Sequence, residues 1–259
     1  MRSNYMARAS RTRRSLVDLR TLFAAAALLP ALTAPWSGAQ GQRRQRSAFP
    51  HACTHLPAQM RATANGPDDE LRFDTLRIQK ALDDCPPGQA VELEAEDTGL
   101  QRENAFLVAP LRVPAGVTLL IDAGITVYAS LRGEDYRDPS AVVSTNLPCG
   151  SLPCRALIRA EGSSGVFAAS VSGFGTLDGR GSTPLFDLGA SNLSWADLPS
   201  TQRPHLIDAA GNFELHKLTV RNAAATALHL TGRGAATVEG AKFIAATNTA
   251  DTRSIAVAS

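Results

Sequence analysis

The sequence predicts an all-β fold, a right-handed, single-stranded parallel β-helix with a short N-terminal capping helix. Three observations lead there. From Ala90 onward the chain is a series of short runs rich in β-branched and aliphatic residues: 117–122, 125–128, 157–160, 170–173, 206–209, 215–220, 228–231 and 236–240. No long helical pattern separates these runs, which argues against a doubly wound α/β sheet. Equivalent runs also recur at a period in the twenties. Leu206-Ile207 and Leu228-His229 start 22 residues apart, Val220 and Phe243 lie 23 apart, and Leu157-Ile158 precedes Leu206-Ile207 by 49, two turns plus an insertion around Thr183–Pro199. Several short strands per period are the mark of a solenoid. A leucine-rich repeat, the nearest rival, would need a Leu-x-x-Leu-x-Leu spacing and an Asn position that are missing.

Composition agrees with closely packed β layers. Aromatics make up only 5% of the 259 residues, while small residues, Thr and Val are plentiful. Residues 1–39 stand apart and read as a signal peptide. Arg8, Arg11, Arg13 and Arg14 form a basic start, Leu22 to Leu32 a short apolar run, and Ser37-Gly38-Ala39 a small-x-small cleavage site. The apolar run is shorter than the about 20 residues needed to span a bilayer, so no membrane association is expected after cleavage. Arg13-Arg14 leaves a twin-arginine route open beside the general one. An exported protein, periplasmic or extracellular, is the expectation.

Removing that segment reverses the charge. Six of the 26 Lys and Arg and one of the 24 Asp and Glu fall in it, which leaves 20 basic against 23 acidic residues. A net charge near −3 without a basic stripe gives nucleic-acid binding no support. Residues 40–66 are polar and aperiodic, and read as a flexible leader. Next comes the helix. Ile78, Ala81, Leu82 and Cys85 share one face at i, i+3, i+4 and i+7, with Asp74 as N-cap and Cys85-Pro86-Pro87-Gly88 as the stop. Laid across the end of a sheet stack, it would cover unpaired strand edges. The β-helix domain is expected over 67–259.

Four cysteines behind an export signal imply two disulfides. Their order suggests Cys53–Cys85 and Cys149–Cys154, of three formal pairings. His51-Ala52-Cys53-Thr54-His55 contains metal-ligand types but lacks a second cysteine pair at ligand spacing. His205, His216 and His229 stand singly among strands and read as satisfied or surface side chains. Asp178, followed by Gly179, reads as a turn former at a corner.

Several segments together resemble the polygalacturonase-like, pectin-degrading glycosidases of glycoside hydrolase family 28. Thr75 to Cys85 resembles the family's opening helix, and Val117 to Ser130 a coil of the form Val-Thr-Leu-x-Ile-Asp-x-Gly-x-Thr-Val-x-Ala-Ser. Gly173-Phe174-Gly175-Thr176-Leu177-Asp178-Gly179-Arg180-Gly181 matches Gly-x-Gly-Thr-Ile-Asp-Gly-x-Gly, and Arg203 to Ile207 matches Arg-Pro-x-Leu-Ile. Leu218 to Asn222 fits the strand before an Asn-Ser-Pro, with Ala223-Ala224 in place of Ser-Pro. The resemblance covers about residues 68–259 and implies the pectin-lyase-like β-helix, hydrolysis of galacturonic-acid linkages with inversion, and an acidic pectic polysaccharide as partner. It implies neither cofactor nor metal, and a monomer.

The same resemblance marks a departure. The family's Asn-Thr-Asp-Gly-Ile-Asp run carries catalytic carboxylate. In ungapped register Asp251 stands for its Asn, Thr252 and Ile255 match, and Arg253 and Ala256 occupy the two acid positions. A gap after Asn248-Thr249 would instead place Asp251 in the catalytic position, which makes Asp251 the candidate catalytic residue. The Asp-Asp, Gly-His and Arg-x-Lys motifs that follow in the family are absent. The expectation is an incomplete, truncated β-helix without hydrolytic activity. The alternatives are a non-catalytic carbohydrate-binding or adhesin-like β-helix, and a lyase-like one, which would need a calcium site of clustered carboxylates.

Overall fold

Alternating inward and outward side chains along each short strand allow the chain to wind into stacked coils. The computed structural model describes residues 49–99, 101–143, 147–163, 165, 167–186, 192–245 and 254–258, all within a unit spanning residues 45–259. The signal peptide expected at 1–39 and residues 40–48 of the leader lie outside the described residues.

Five coils, each of three strands, build three parallel sheets. The first sheet contains Ala90–Glu94, Thr118–Ile121, Ala169–Gly173, Phe213–His216 and Ala236–Glu239; the second contains Ala105–Val108, Thr126–Ala129, Thr176–Asp178, Thr219–Arg221 and Lys242–Ile244. The third contains Leu111–Val113, Ile158–Glu161, Ile207–Ala210, Leu228–Thr231 and Ile255–Ala258. Every pairing within these sheets is parallel, as the right-handed parallel β-helix requires. Among the described residues, antiparallel pairing is confined to Ala62–Thr63 with Gly66–Pro67, Glu96–Asp97 with Arg102–Glu103, and two isolated bridges.

Three apolar stacks fill the interior. Val91, Leu119, Val171, Leu215 and Val238 lie in register on the first sheet. Phe106, Val127, Leu177, Val220 and Phe243 do so on the second, and Leu111, Ile158, Ile207, Leu228 and Ile255 on the third. Most of these are wholly buried, and each such side chain stabilises the fold by about 1.5–3 kcal/mol relative to exposure. Close stacking also explains one glycine. Gly173 has φ +123°, and a Cβ there would collide with the Ile121 carbonyl of the preceding coil.

Four details differ from the sequence-based expectations. Leu228 aligns with Ile207, not Leu206, so that repeat is one residue shorter than the 22 expected. A one-residue slip turns every side chain to the other face, and the correct register turns His229 outward. The run 215–220 is two strands, broken where Lys217 adopts φ 61°. Residues Ala52–Pro57, within the span read as leader, form a strand that pairs in parallel with Ala90–Glu94 and extends the first sheet. Their Thr and His side chains gave no apolar alternation to mark them.

The fourth detail concerns the helix Thr75–Asp84, which buries Ile78 and Leu82. Its Asp74 makes no side-chain cap. The buried carboxylate instead accepts from Arg77 Nε at 2.7 Å and the Leu107 amide at 3.1 Å, pinning the helix to the neighbouring strand. The helix lies against Leu111–Val113, the terminal strand of the third sheet. Gln79 accepts from the Arg112 amide at 2.8 Å and donates to the Arg112 carbonyl at 3.0 Å, and Thr75 accepts from the Ala109 amide at 2.8 Å. Helix side chains thus satisfy backbone groups that a strand edge leaves open. The structure joins Cys53 to Cys85, Cα–Cα 5.9 Å, which ties the first strand to the helix end.

Among the described residues, two long excursions leave the β-helix at the same turn, between the second and third sheets, one after Ala129 and one after Asp178. They pack together through Tyr136 and Trp195, whose rings meet edge to face at 5.2 Å. Cys149 and Cys154 close a small loop in the first, Cα–Cα 5.1 Å. Gln202 of the second holds that loop: it accepts from the Cys149 amide at 3.3 Å and donates to the carbonyls of Gly150 and Leu152 at 3.2 and 3.3 Å.

Candidate functional site

The third sheet repeats an apolar–X–apolar triplet: Leu111-Arg112-Val113, Ile158-Arg159-Ala160, Ile207-Asp208-Ala209, Leu228-His229-Leu230 and Ile255-Ala256-Val257. In the first three triplets the outer members are buried in the core, so the middle residue faces out, and register carries the same face to the last two. Register places Arg112, Arg159, Asp208, His229 and Ala256 in one outward row, with neighbours about 4.8 Å apart across the strands.

A groove of about 530 Å³ runs along the start of this row. One wall is the helix, through Gln79 and Asp83; the other is the disulfide loop, through Pro153, Cys154 and Arg155. Its floor holds Arg112, Arg159, Glu161, His205 and Asp208. The charges are paired within the coils, between them and with the helix. Arg112 bonds Asp83 at 2.8 Å and reaches Glu161 at 3.4 Å, and Arg159 Nε meets Glu161 at 2.9 Å. Arg155 donates to the Asp135 carbonyl at 2.7 Å.

Beside the arginines lies a histidine pair. His205 and His229 stack with ring centroids 4.3 Å apart, and His229 Nδ1 lies 3.1 Å from Asp208 Oδ1. Burial, reinforced by the neighbouring His229 and opposed by Asp208, lowers the His205 pKa below its ordinary value. His205 Nδ1 is buried without a partner among the described residues. The two rings therefore do not stand singly, as the sequence had suggested. His216 does pair separately, with Glu214 and Glu239.

A second concavity, about 160 Å³, lies on the second sheet around Tyr128, Asp178, Arg180, Arg221 and Asn222. Its polar groups are occupied with holding a corner. Asp178 accepts from the Arg180 amide at 2.9 Å, Asn222 Nδ2 at 3.0 Å and Arg221 Nε at 2.8 Å, while Arg180 and Asn222 both adopt φ 52°. This is the structural role expected for Asp178. Arg180 is itself buried and forks onto Glu70, with Nη1–Oε2 at 2.9 Å.

Of the residues singled out in the catalytic-type run, Asp251 and Arg253 lie outside the described residues. Ala256 sits in the outward row beside His229 and presents a methyl group where the resemblance expects a carboxylate. Cys53, formally a metal-ligand type, is bonded to Cys85, and His55 contacts Glu92 and Glu94. The groove residues Arg112, Arg155, Arg159 and Glu161 were not singled out from sequence. For Arg112 and Arg159 the signal was the polar middle of the recurring triplet, readable only once the coils are aligned.

With this geometry established, comparison identifies the relatives. The chain is 34% identical over 183 residues to a polygalacturonase of Ralstonia solanacearum, an alignment covering 66% of this chain and 33% of that protein. It is 34% identical over 161 residues to an endo-polygalacturonase of Pectobacterium carotovorum subsp. carotovorum, covering 57% and 36%. The chain is a homologue of the family-28 polygalacturonases. Solved structures agree: the polygalacturonase of Erwinia carotovora ssp. carotovora superposes with TM-score 0.61 at 26% identity over 81% of this chain and 52% of that one. A family-28 exopolygalacturonase of Yersinia enterocolitica shares the fold, with TM-score 0.51 at 19% identity over 73% and 40%. No family model matches the chain. The homologous segment spans about a third of the length of these polygalacturonase relatives.

Proposed function

We propose that this chain is an exported, pectin-directed protein of the polygalacturonase type that engages an acidic galacturonate chain along the outward row of the third sheet without hydrolysing it. Homology to polygalacturonases supports the substrate class. Export rests on the basic-then-apolar composition of residues 1–39 and on the two cysteine pairs.

The observation that carries the non-hydrolytic part is Ala256. Inverting hydrolysis of a glycosidic bond needs a protonated acid for the leaving oxygen and a carboxylate base for the attacking water, about 6.5–9.5 Å apart. The run 248–259 contains one carboxylate, Asp251, while Arg253 and Ala256 fill the positions expected to be acidic. Neither can carry a proton to or from the reacting atoms, and such general acid–base assistance is worth about 10²–10⁴-fold.

A reducing-end assay on the purified chain with polygalacturonate, run beside a sedimentation binding assay, tests this. Binding without release of reducing ends above the no-protein background is expected. Release that Asp251→Asn abolishes would overturn the proposal, and would identify Asp251 as half of a working pair.

A further inference from the structure

We propose that the last coil is a self-association surface. Two copies of the chain join end to end about a two-fold axis, the first-sheet edge of one pairing antiparallel with the second-sheet edge of the other.

The apolar stacks come to the surface at this coil. Val238, Ile255 and Val257 are 38%, 44% and 76% exposed, whereas Leu215 and Leu228, one coil earlier in the first and third stacks, are wholly buried. The strands Ala236–Glu239, Lys242–Ile244 and Ile255–Ala258 are each the last of their sheet among the described residues. Exposed apolar surface bordered by open strand edges is a template for another chain.

Backbone directions decide which pairing fits. The Ala235 and Glu239 carbonyls accept from the Phe213 and Lys217 amides, so Val238, of opposite parity, turns its N–H and C=O to the open edge. On the second sheet the Lys242 amide donates to the Leu218 carbonyl and the Ile244 carbonyl accepts from the Asn222 amide, which leaves Phe243 on the open edge. Val238 and Phe243 also both belong to core stacks. A copy turned over about an axis through the corner at Gly240-Ala241 therefore sets Val238 opposite the partner's Phe243. The two can exchange a pair of backbone hydrogen bonds with their side chains on the core face.

An axis through one corner of a three-sided coil crosses the middle of the opposite side. There Ala256 meets the partner's Ala256, and Ile255 meets the partner's Val257, core face against core face. The Ser254 carbonyl accepts from the Leu228 amide, so Ile255 and Val257 have the open-edge parity as well.

This register also sets charge against charge. Glu239 lies opposite the partner's Lys242, and Lys242 opposite the partner's Glu239, in the closer, non-hydrogen-bonded kind of pair. Both side chains are exposed, and Glu239 otherwise contacts His216 Nδ1 at 3.6 Å. Head-to-tail stacking fits less well, because the helix lies against the terminal strand of the third sheet at the other end. The isologous arrangement pairs all three edges and closes at two copies.

Sedimentation equilibrium of the purified full chain, with charge-reversed variants checked by far-UV circular dichroism, tests the assignment. A concentration-dependent dimer is expected for wild type. Glu239→Lys and Lys242→Glu, each placing like charges together twice, should weaken it about tenfold. The double variant Glu239→Lys/Lys242→Glu should restore it. A wild-type chain that stays monomeric through the micromolar range would overturn the proposal; slow amide exchange over 236–244 in that monomer would show the end covered by another segment of the chain. Dimers indifferent to both single reversals would overturn the surface, failure of the double variant to restore them would overturn the register, and open-ended polymers would overturn the two-fold arrangement.

Discussion

At the scale of single residues, His205 links stability to pH. Its ring is packed against His229 and near Asp208, and burial holds its pKa below the ordinary 6.5. A histidine whose folded pKa is depressed contributes stability that is complete above its unfolded pKa and is lost as pH falls, because only the unfolded chain gains the proton. Stability should therefore fall as pH drops from 6.5 towards the lowered value. Urea unfolding of wild type and His205→Gln across pH 5–8 isolates the effect from Asp74 and Glu92, whose pKa values burial raises. The difference between the two proteins should change across the acid window and be constant above it. A difference independent of pH would show that His205 is not buried as a neutral ring.

Among the elements, the two excursions depend on one side chain. Gln202 makes three hydrogen bonds to the 149–152 backbone, one of them to the buried Cys149 amide. Gln202→Ala leaves these groups unsatisfied and should cost about 1–3 kcal/mol in urea unfolding. It should also loosen the loop that walls the groove, seen as faster amide exchange over 149–155. Unchanged stability and exchange would assign the loop's order to its disulfide alone. The sequence was informative about elements in proportion to their apolar alternation. Strands such as 118–121 and 126–129 announce themselves through Thr-Leu-Leu-Ile and Thr-Val-Tyr-Ala, and the helix through its Ile78–Leu82 face. Ala52–Pro57 does not, since its place in the sheet is decided by pairing with Ala90–Glu94. Lys217 breaks a strand by taking a positive φ that a non-glycine residue gives no warning of. The site was hidden for a related reason: Arg112, Arg159, Asp208 and His229 become neighbours only through register, and one slipped residue at Leu206 conceals the row.

For the β-helix as a whole, stability is close to a sum of coil contributions and contacts between adjacent coils. Ile207, wholly buried between Ile158 and Leu228, should cost about 2–5 kcal/mol when changed to Ala. Ile255 belongs to the same stack but is 44% exposed, and its change to Ala should cost far less. Thermal and urea melts of both variants would check this; equal losses would mean that burial along the stack does not follow coil position.

The parallel register carries one more consequence. Because each coil contributes one side chain to the outward row, the row is a graduated scale whose unit is the strand spacing, about 4.8 Å. Adding or deleting a whole coil between Arg159 and Ala256 would shift their separation by one graduation while leaving each groove wall intact. Under the proposed glycan reading, length preference would therefore change by whole steps through coil duplication, with no new binding chemistry required.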